Sequence, residues 1–202
     1  MADNPILDFH DISPDHEHEL RIQCLEGLKS QDVRRAFDAI QAVKWFHADD
    51  ELLEALLELL DSSAAAMRAL ALDGLCHLQH PKAVGALVQH VHEYRQDEAE
   101  SAHAMGALGQ LATEGTLSFF ERVIWEADIY PMDVRMRAVE ALLQLCQRKV
   151  EPAGPMLLTV QASDALEPDL RETATAALKE LHSGEWDRLG FATIEGEFET
   201  GE

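Results

Sequence analysis

Residues Met67–Leu78, MRALALDGLCHL, decide the fold. Leu72, Leu75 and Leu78 recur at i, i+3 and i+6, with Ala71 one place ahead. That spacing puts the four on one face of a helix, and the small residue lets a neighbouring helix approach closely. The pattern returns 33 residues on as Met105, Leu108 and Leu111, then 34 further as Val139, Leu142 and Leu145. After another 36 it is Thr175, Leu178 and Leu181, and 35 residues before the first copy it is Phe37, Ile40 and Val43. Ala36, Ala71, Ala104, Ala138 and Ala174 hold the small position. A repeat of this length predicts stacked helical hairpins, each burying its apolar face only against its neighbours.

Three copies open alike, as Asp32-Val33-Arg34, Asp133-Val134-Arg135 and Asp169-Leu170-Arg171. The first needs a one-residue gap to keep both its opening and its triplet in register. The Asp is expected to cap the helix, satisfying its free N–H groups and meeting the positive end of its dipole. The Arg is expected to bond to an Asp of the adjacent repeat. Arg68 holds the place in the second copy and Ser101 in the third.

Second helices read as Asp49–Leu60, Pro81–Glu93, Glu114–Ala127 and Pro152–Gln161, with Pro81 and Pro155 in first turns. The run Ile129-Tyr130-Pro131-Met132 breaks the chain before the fourth copy. His16–Leu28 is expected to be a lone helix capping the stack. The expected organisation is an acidic N-terminal tail over 1–15, a repeat domain over 16–183 and an acidic C-terminal tail over 184–202. Trp186, Leu189 and Phe191 could tuck back onto the last repeat.

Composition agrees with an all-α chain. Of 202 residues 47% are hydrophobic, enough for one sizeable core, and only 6% are aromatic. Ala and Leu dominate, the best helix formers, and β-branched residues are scarce. The net charge is −22. Residues 1–19 hold six acids and no Lys or Arg, and residues 184–202 hold six acids and one Arg. Phosphate and anionic lipid would be repelled, so no nucleic-acid or membrane partner is expected; a basic protein partner fits the charge. Cys24, Cys76 and Cys146 form no pairing pattern, and the N-terminus shows no leader-like region. A cytoplasmic, reducing location is therefore expected.

The words AAAMRALALDGL, DVRMRAVEALLQL and DLRETATAALKEL, with the looser AESAHAMGALGQL, resemble the HEAT-like repeats. The likeness is to the short bacterial type also found in phycobilin lyases, and covers roughly residues 30–183. It implies an α-solenoid, here a right-handed superhelix of about five helix pairs with an N-terminal capping helix. It also implies that the second helices line the concave, binding side.

Catalytic chemistry finds little support. No GxSxG, Walker, GxGxxG, HExxH or CxxC pattern is present. Asp15-His16-Glu17-His18-Glu19 gathers ligand types, but His16 and His18 point to different faces of a helix. His77, His80, His90, His92 and His103 cluster near a turn, where such side chains usually meet solvent or free carbonyls. A HEAT-like di-iron hydroxylase uses His-Glu pairs early in its first helices. The matching places here are Arg68-Ala69, Ser101-Ala102, Arg135-Met136 and Arg171-Glu172. A lyase groove would need basic residues for bilin propionates, and mainly Lys82, Arg95 and Arg122 are on offer. No catalytic residue, cofactor or metal is assigned.

What remains is an acidic surface. Glu51, Glu54 and Glu58 lie on one face of the first second-helix. The stripe is expected to continue through Gln89, Glu93, Glu121, Arg122 and Glu126. The expected function is a non-enzymatic protein-binding module of adaptor, chaperone or inhibitor type, docking a basic or amphipathic segment on that face. The alternatives are a lyase-like or metal-assisted enzyme and a structural subunit of a larger assembly.

Overall fold

The computed structural model describes residues 14–30 and 32–183. Among the described residues ten α-helices follow one another: α1 Pro14–Leu28, α2 Val33–Val43, α3 Asp50–Leu60, α4 Ala65–Leu78 and α5 Ala83–Glu93. Then come α6 Glu98–Leu111, α7 Leu117–Trp125, α8 Met132–Gln147, α9 Ala153–Ala162 and α10 Pro168–Ser183. A 3₁₀ turn, Glu114–Thr116, precedes α7. No strand occurs among the described residues. The chain is an all-α solenoid.

The helices form two layers. α2, α4, α6, α8 and α10 pack on one another in chain order. Each of α1, α3, α5, α7 and α9 packs on the even-numbered helix that follows it. Within this second layer α1 meets α3 and α3 lightly meets α5, while α7 and α9 have no substantial contact with their odd-numbered neighbours. The physical pairs are therefore α1–α2 through α9–α10. The helix expected as a lone cap is the outer member of the first pair.

This pairing corrects the expected orientation. A two-layer stack with one close-packed and one splayed layer curves toward the close-packed one. The inner side is lined by α2, α4, α6, α8 and α10, which carry the Ala-plus-triplet pattern. The second helices of the sequence reading form the outer layer. Their frame was displaced by one helix, because the period is the same whichever helix begins it.

The core follows the repeat. All five small positions, Ala36, Ala71, Ala104, Ala138 and Ala174, are fully buried, as are Leu72, Leu75, Leu78, Met105, Leu108, Val139, Leu142 and Leu145. Gly74 marks the closest approach: a Cβ there would lie 2.4 Å from Leu56 Cδ2 and 2.6 Å from Ile40 Cδ1. Phe37 departs from the pattern and is half-exposed, at 49%. The buried face of α2 centres on Ala36, Ala39, Ile40 and Val43, and Phe37 lies roughly 100° round the helix from it. Thr175 is also only half-buried, and its hydroxyl donates to Arg171 O at 2.7 Å.

Capping follows the sequence in part. Asp32 accepts from the N–H groups of Arg34 and Arg35, and Asp49 and Asp97 cap α3 and α6 in the same way. Asp133 and Asp169 lie one residue inside their helices and act only as first-turn acids near the positive dipole end.

Candidate interaction groove

Two buried arginines hold successive repeats in register. Arg68, on α4, donates from Nε and Nη2 to Glu100 Oε1 and Oε2, both at 2.5 Å. Its Nη1 satisfies the carbonyls of Ser62 and Ser63 at 2.9 and 3.1 Å, at the end of α3. The guanidinium lies 4.7 Å from the Tyr94 ring centre, and His90 stacks on that ring at 4.3 Å. His90 Nε2 is 2.9 Å from Glu100 Oε1. Burial pushes the His90 imidazole below its ordinary value, against the pull of Glu100. Burial would raise the Glu100 carboxyl, but Arg68 outweighs it and holds that carboxyl low.

Arg135 repeats the arrangement on α8. Its Nε donates to Ile124 O at 2.9 Å, at the end of α7, and its other two nitrogens grip Glu167 at 2.7 and 2.9 Å. The hydrogen bond from Arg135 holds the Glu167 carboxyl below its usual range. Both acids stand 32 residues after their arginine, one repeat onward. The expected Arg partner was an Asp; the structure supplies Glu, whose longer side chain reaches across the inter-repeat gap. Arg148 adds a third tie, donating to Gly109 O and Gln110 O at 2.6 and 2.9 Å and so closing the free end of α6.

These ties fix α4, α6 and α8 side by side around a groove of about 490 Å³ on the inner layer. Its floor is α6, where Ala99, Ala102 and Gly106 follow one helical line. A Cβ added at Gly106 would meet nothing within 4 Å. The α4 wall carries Asp73 and His77, with Asp73 Oδ1 2.8 Å from His103 Nε2. The α8 wall carries Gln144 and the pair Arg137–Glu140, 2.7 Å apart. The result is a small-residue trough between polar flanks that can donate and accept hydrogen bonds.

The groove holds little that could carry out covalent chemistry. Burial pushes the Cys76 thiol up to about 12, so it stays protonated at neutral pH. Among the described residues no three His, Cys, Asp or Glu side chains are placed to hold a metal ion. Four of the five histidines read as one cluster turn to separate partners, and His77 lines the groove. His80 meets Asp50 at 3.2 Å, His92 meets the Tyr130 hydroxyl at 3.3 Å, and His90 and His103 are held as described.

The residues expected to form an acidic binding face lie on α3, α5 and α7, in the outer layer. Glu51 accepts from Arg21 at 2.8 Å, while Glu54, Glu58 and Glu121 are exposed. Gln89 donates to Glu93 at 2.8 Å, and Arg122 lies 4.0 Å from Glu126. Each of these pairs is local to its own helix or to a neighbouring α1 side chain. The groove residues Asp73, His103, Gly106, Arg137 and Glu140 were missed. Their signal was present in the small residues of α6 that fall outside the triplet, Ala99, Ala102 and Gly106.

Residues 53–142, from within α3 to within α8, match the family model for HEAT repeats. No curated protein matches the chain. With the two-layer stack and its repeating Ala-plus-triplet core, this match supports a HEAT-like repeat architecture.

Proposed function

We propose that this protein is a non-enzymatic binding scaffold that seats a helical segment of a partner protein in the groove over α6. The groove itself carries this reading. Helices that pack at 8–10 Å put α4 and α8 roughly 16–20 Å apart, and a helix with its side chains is about 10–12 Å across. The small floor lets an incoming backbone come close, and the flanks meet its polar edges. HEAT-type solenoids use their inner surface for extended protein contacts in this way. The net charge of −22 favours a segment bearing Lys or Arg and disfavours nucleic acid and anionic membrane. The three free thiols accord with a reducing compartment such as the cytoplasm.

The test uses Gly106→Trp, which fills open space and leaves the core untouched. Affinity capture from the native host, read by mass spectrometry and repeated with the purified partner, is expected to lose at least tenfold in affinity. Thermal stability should not fall. Charge reversal of Glu54, Glu58 and Glu121 is the parallel arm. If that variant lost the partner while Gly106→Trp kept it, the outer acidic helices would be the docking surface and the groove reading would fail.

A further inference from the structure

α2 presents a half-exposed face at the start of the stack. Val33, Arg34, Phe37, Gln41 and Lys44 fall within roughly 100° of the helix circumference, on one side of the buried line of Ala36, Ala39, Ile40 and Val43. Val33 and Phe37 are each 49% exposed. Phe37 takes the repeat position at which Leu72, Met105 and Val139 are fully buried, so later repeats cover this place. The charge of the face is opposite to that of the chain. It holds two cations and no carboxylate, in a protein of net charge −22. Asp32 caps the helix, and Asp38 lines the cleft against α1. On the later inner helices Arg68, Arg135, Arg137 and Arg171 each reach a carboxylate. Arg34 and Lys44 reach none among the described residues, and Lys44 lies over the Trp45 ring at 5.2 Å.

We propose that this face docks an acidic amphipathic helix of a partner protein, at a surface separate from the groove over α6. Charge complementarity selects the occupant. Apolar residues of the incoming helix seat on Val33 and Phe37, one turn apart, and its Asp or Glu side chains meet Arg34 and Lys44. Those two cations stand about 15 Å apart along the α2 axis, so the carboxylates that meet them bracket the apolar stripe. Arg34 suits a carboxylate because its planar fork takes both oxygens. The acids elsewhere on the chain do not prevent this. Exposed charges are screened beyond about 8 Å at physiological salt, so the local cations govern the contact. A helix is the shape that fits, because the repeat is built from helices and packs them over this position in later copies.

The probe is a fluorescein-labelled, stapled helix of about four turns, with Leu at i, i+3 and i+4 and Glu on both flanks. It is titrated into the full chain and followed by anisotropy. Binding is expected, and Arg34→Glu/Lys44→Glu should weaken it roughly tenfold or more, since like charges then face each other. Phe37→Ser should weaken it similarly, with circular dichroism showing the helices intact. A probe with Lys in place of Glu should not bind, and Gly106→Trp should leave binding unchanged. Unchanged affinity in Arg34→Glu/Lys44→Glu, or equal binding of the Lys probe, would overturn the proposal. Loss of binding in Gly106→Trp would place the probe in the groove and overturn it too. Two further results count against a partner helix. Binding that appears only after residues 1–13 are removed would assign the face to the chain's own N-terminus. A dimer in sedimentation that Arg34→Glu/Lys44→Glu dissolves would assign it to a second copy.

Discussion

Arg68, Glu100 and His90 show how much of the stack rests on single side chains. Glu100 and Arg68 are 8% and 10% exposed at the side chain, so removing one partner leaves a charge with few alternatives. Arg68→Met is expected to destabilise by about 3 kcal/mol, the scale for breaking a buried pair. The double variant Arg68→Met/Glu100→Gln should lose less than the sum of its parts, and urea melts of the four chains check this. His90 gives the same site a pH dependence. Its folded-state pKa lies below the ordinary 6.5, because burial disfavours the charged ring. The unfolded chain therefore binds a proton first as pH falls through 6.5, and stability drops from there downward. Above that pH the contribution is fully present. The slope for one proton is at most about 1.4 kcal/mol per pH unit. Thermal midpoints from pH 8 to pH 5 should show it, and His90→Gln should flatten that part of the curve. A separate loss at lower pH follows from Asp49, Glu100 and Glu167, all held low in the folded state.

Among the elements, α4 and α6 separate two uses of glycine. Gly74 is pressed between Leu56 and Ile40, and Gly106 faces open groove. Alanine at either improves helix propensity by roughly 1 kcal/mol. At Gly74 that gain is overturned by overpacking of about 1–3 kcal/mol, so Gly74→Ala should destabilise while Gly106→Ala stabilises. Paired chemical denaturation decides the signs. The helices themselves were legible because their apolar period is local: Leu72, Leu75 and Leu78 announce α4 without reference to anything else. Which helix partners which was not legible. The same repeat can be cut before either helix, and only packing shows that α3 belongs with α4. Nothing local to Glu54, Glu58 and Glu121 reveals how their helices are spaced. Glu100 and Glu167 were hidden for a related reason, since an exposed-looking Glu becomes an arginine's partner only when the next repeat docks.

The molecule as a whole should come apart like a one-dimensional array. Each pair touches only its neighbours, so a defect in the middle divides the stack and one at the end merely shortens it. Leu108 on α6 and Leu170 on α10 are both fully buried and allow the comparison. Truncating either removes similar apolar volume, and each change costs about 2–5 kcal/mol where it acts. In Leu108→Ala the weakened pair lies between α1–α4 and α7–α10, so cooperativity between the two halves is lost and the urea transition broadens into a smaller slope. In Leu170→Ala the last pair melts first, and the remaining core keeps a sharp transition. Hydrogen exchange should report the same division, with α4 amides kept near native protection in Leu170→Ala but losing it in Leu108→Ala. Equal broadening in both variants would mean that the stack unfolds as one cooperative unit. The clasps at Arg68 and Arg135 would then couple repeats more strongly than their apolar contacts do.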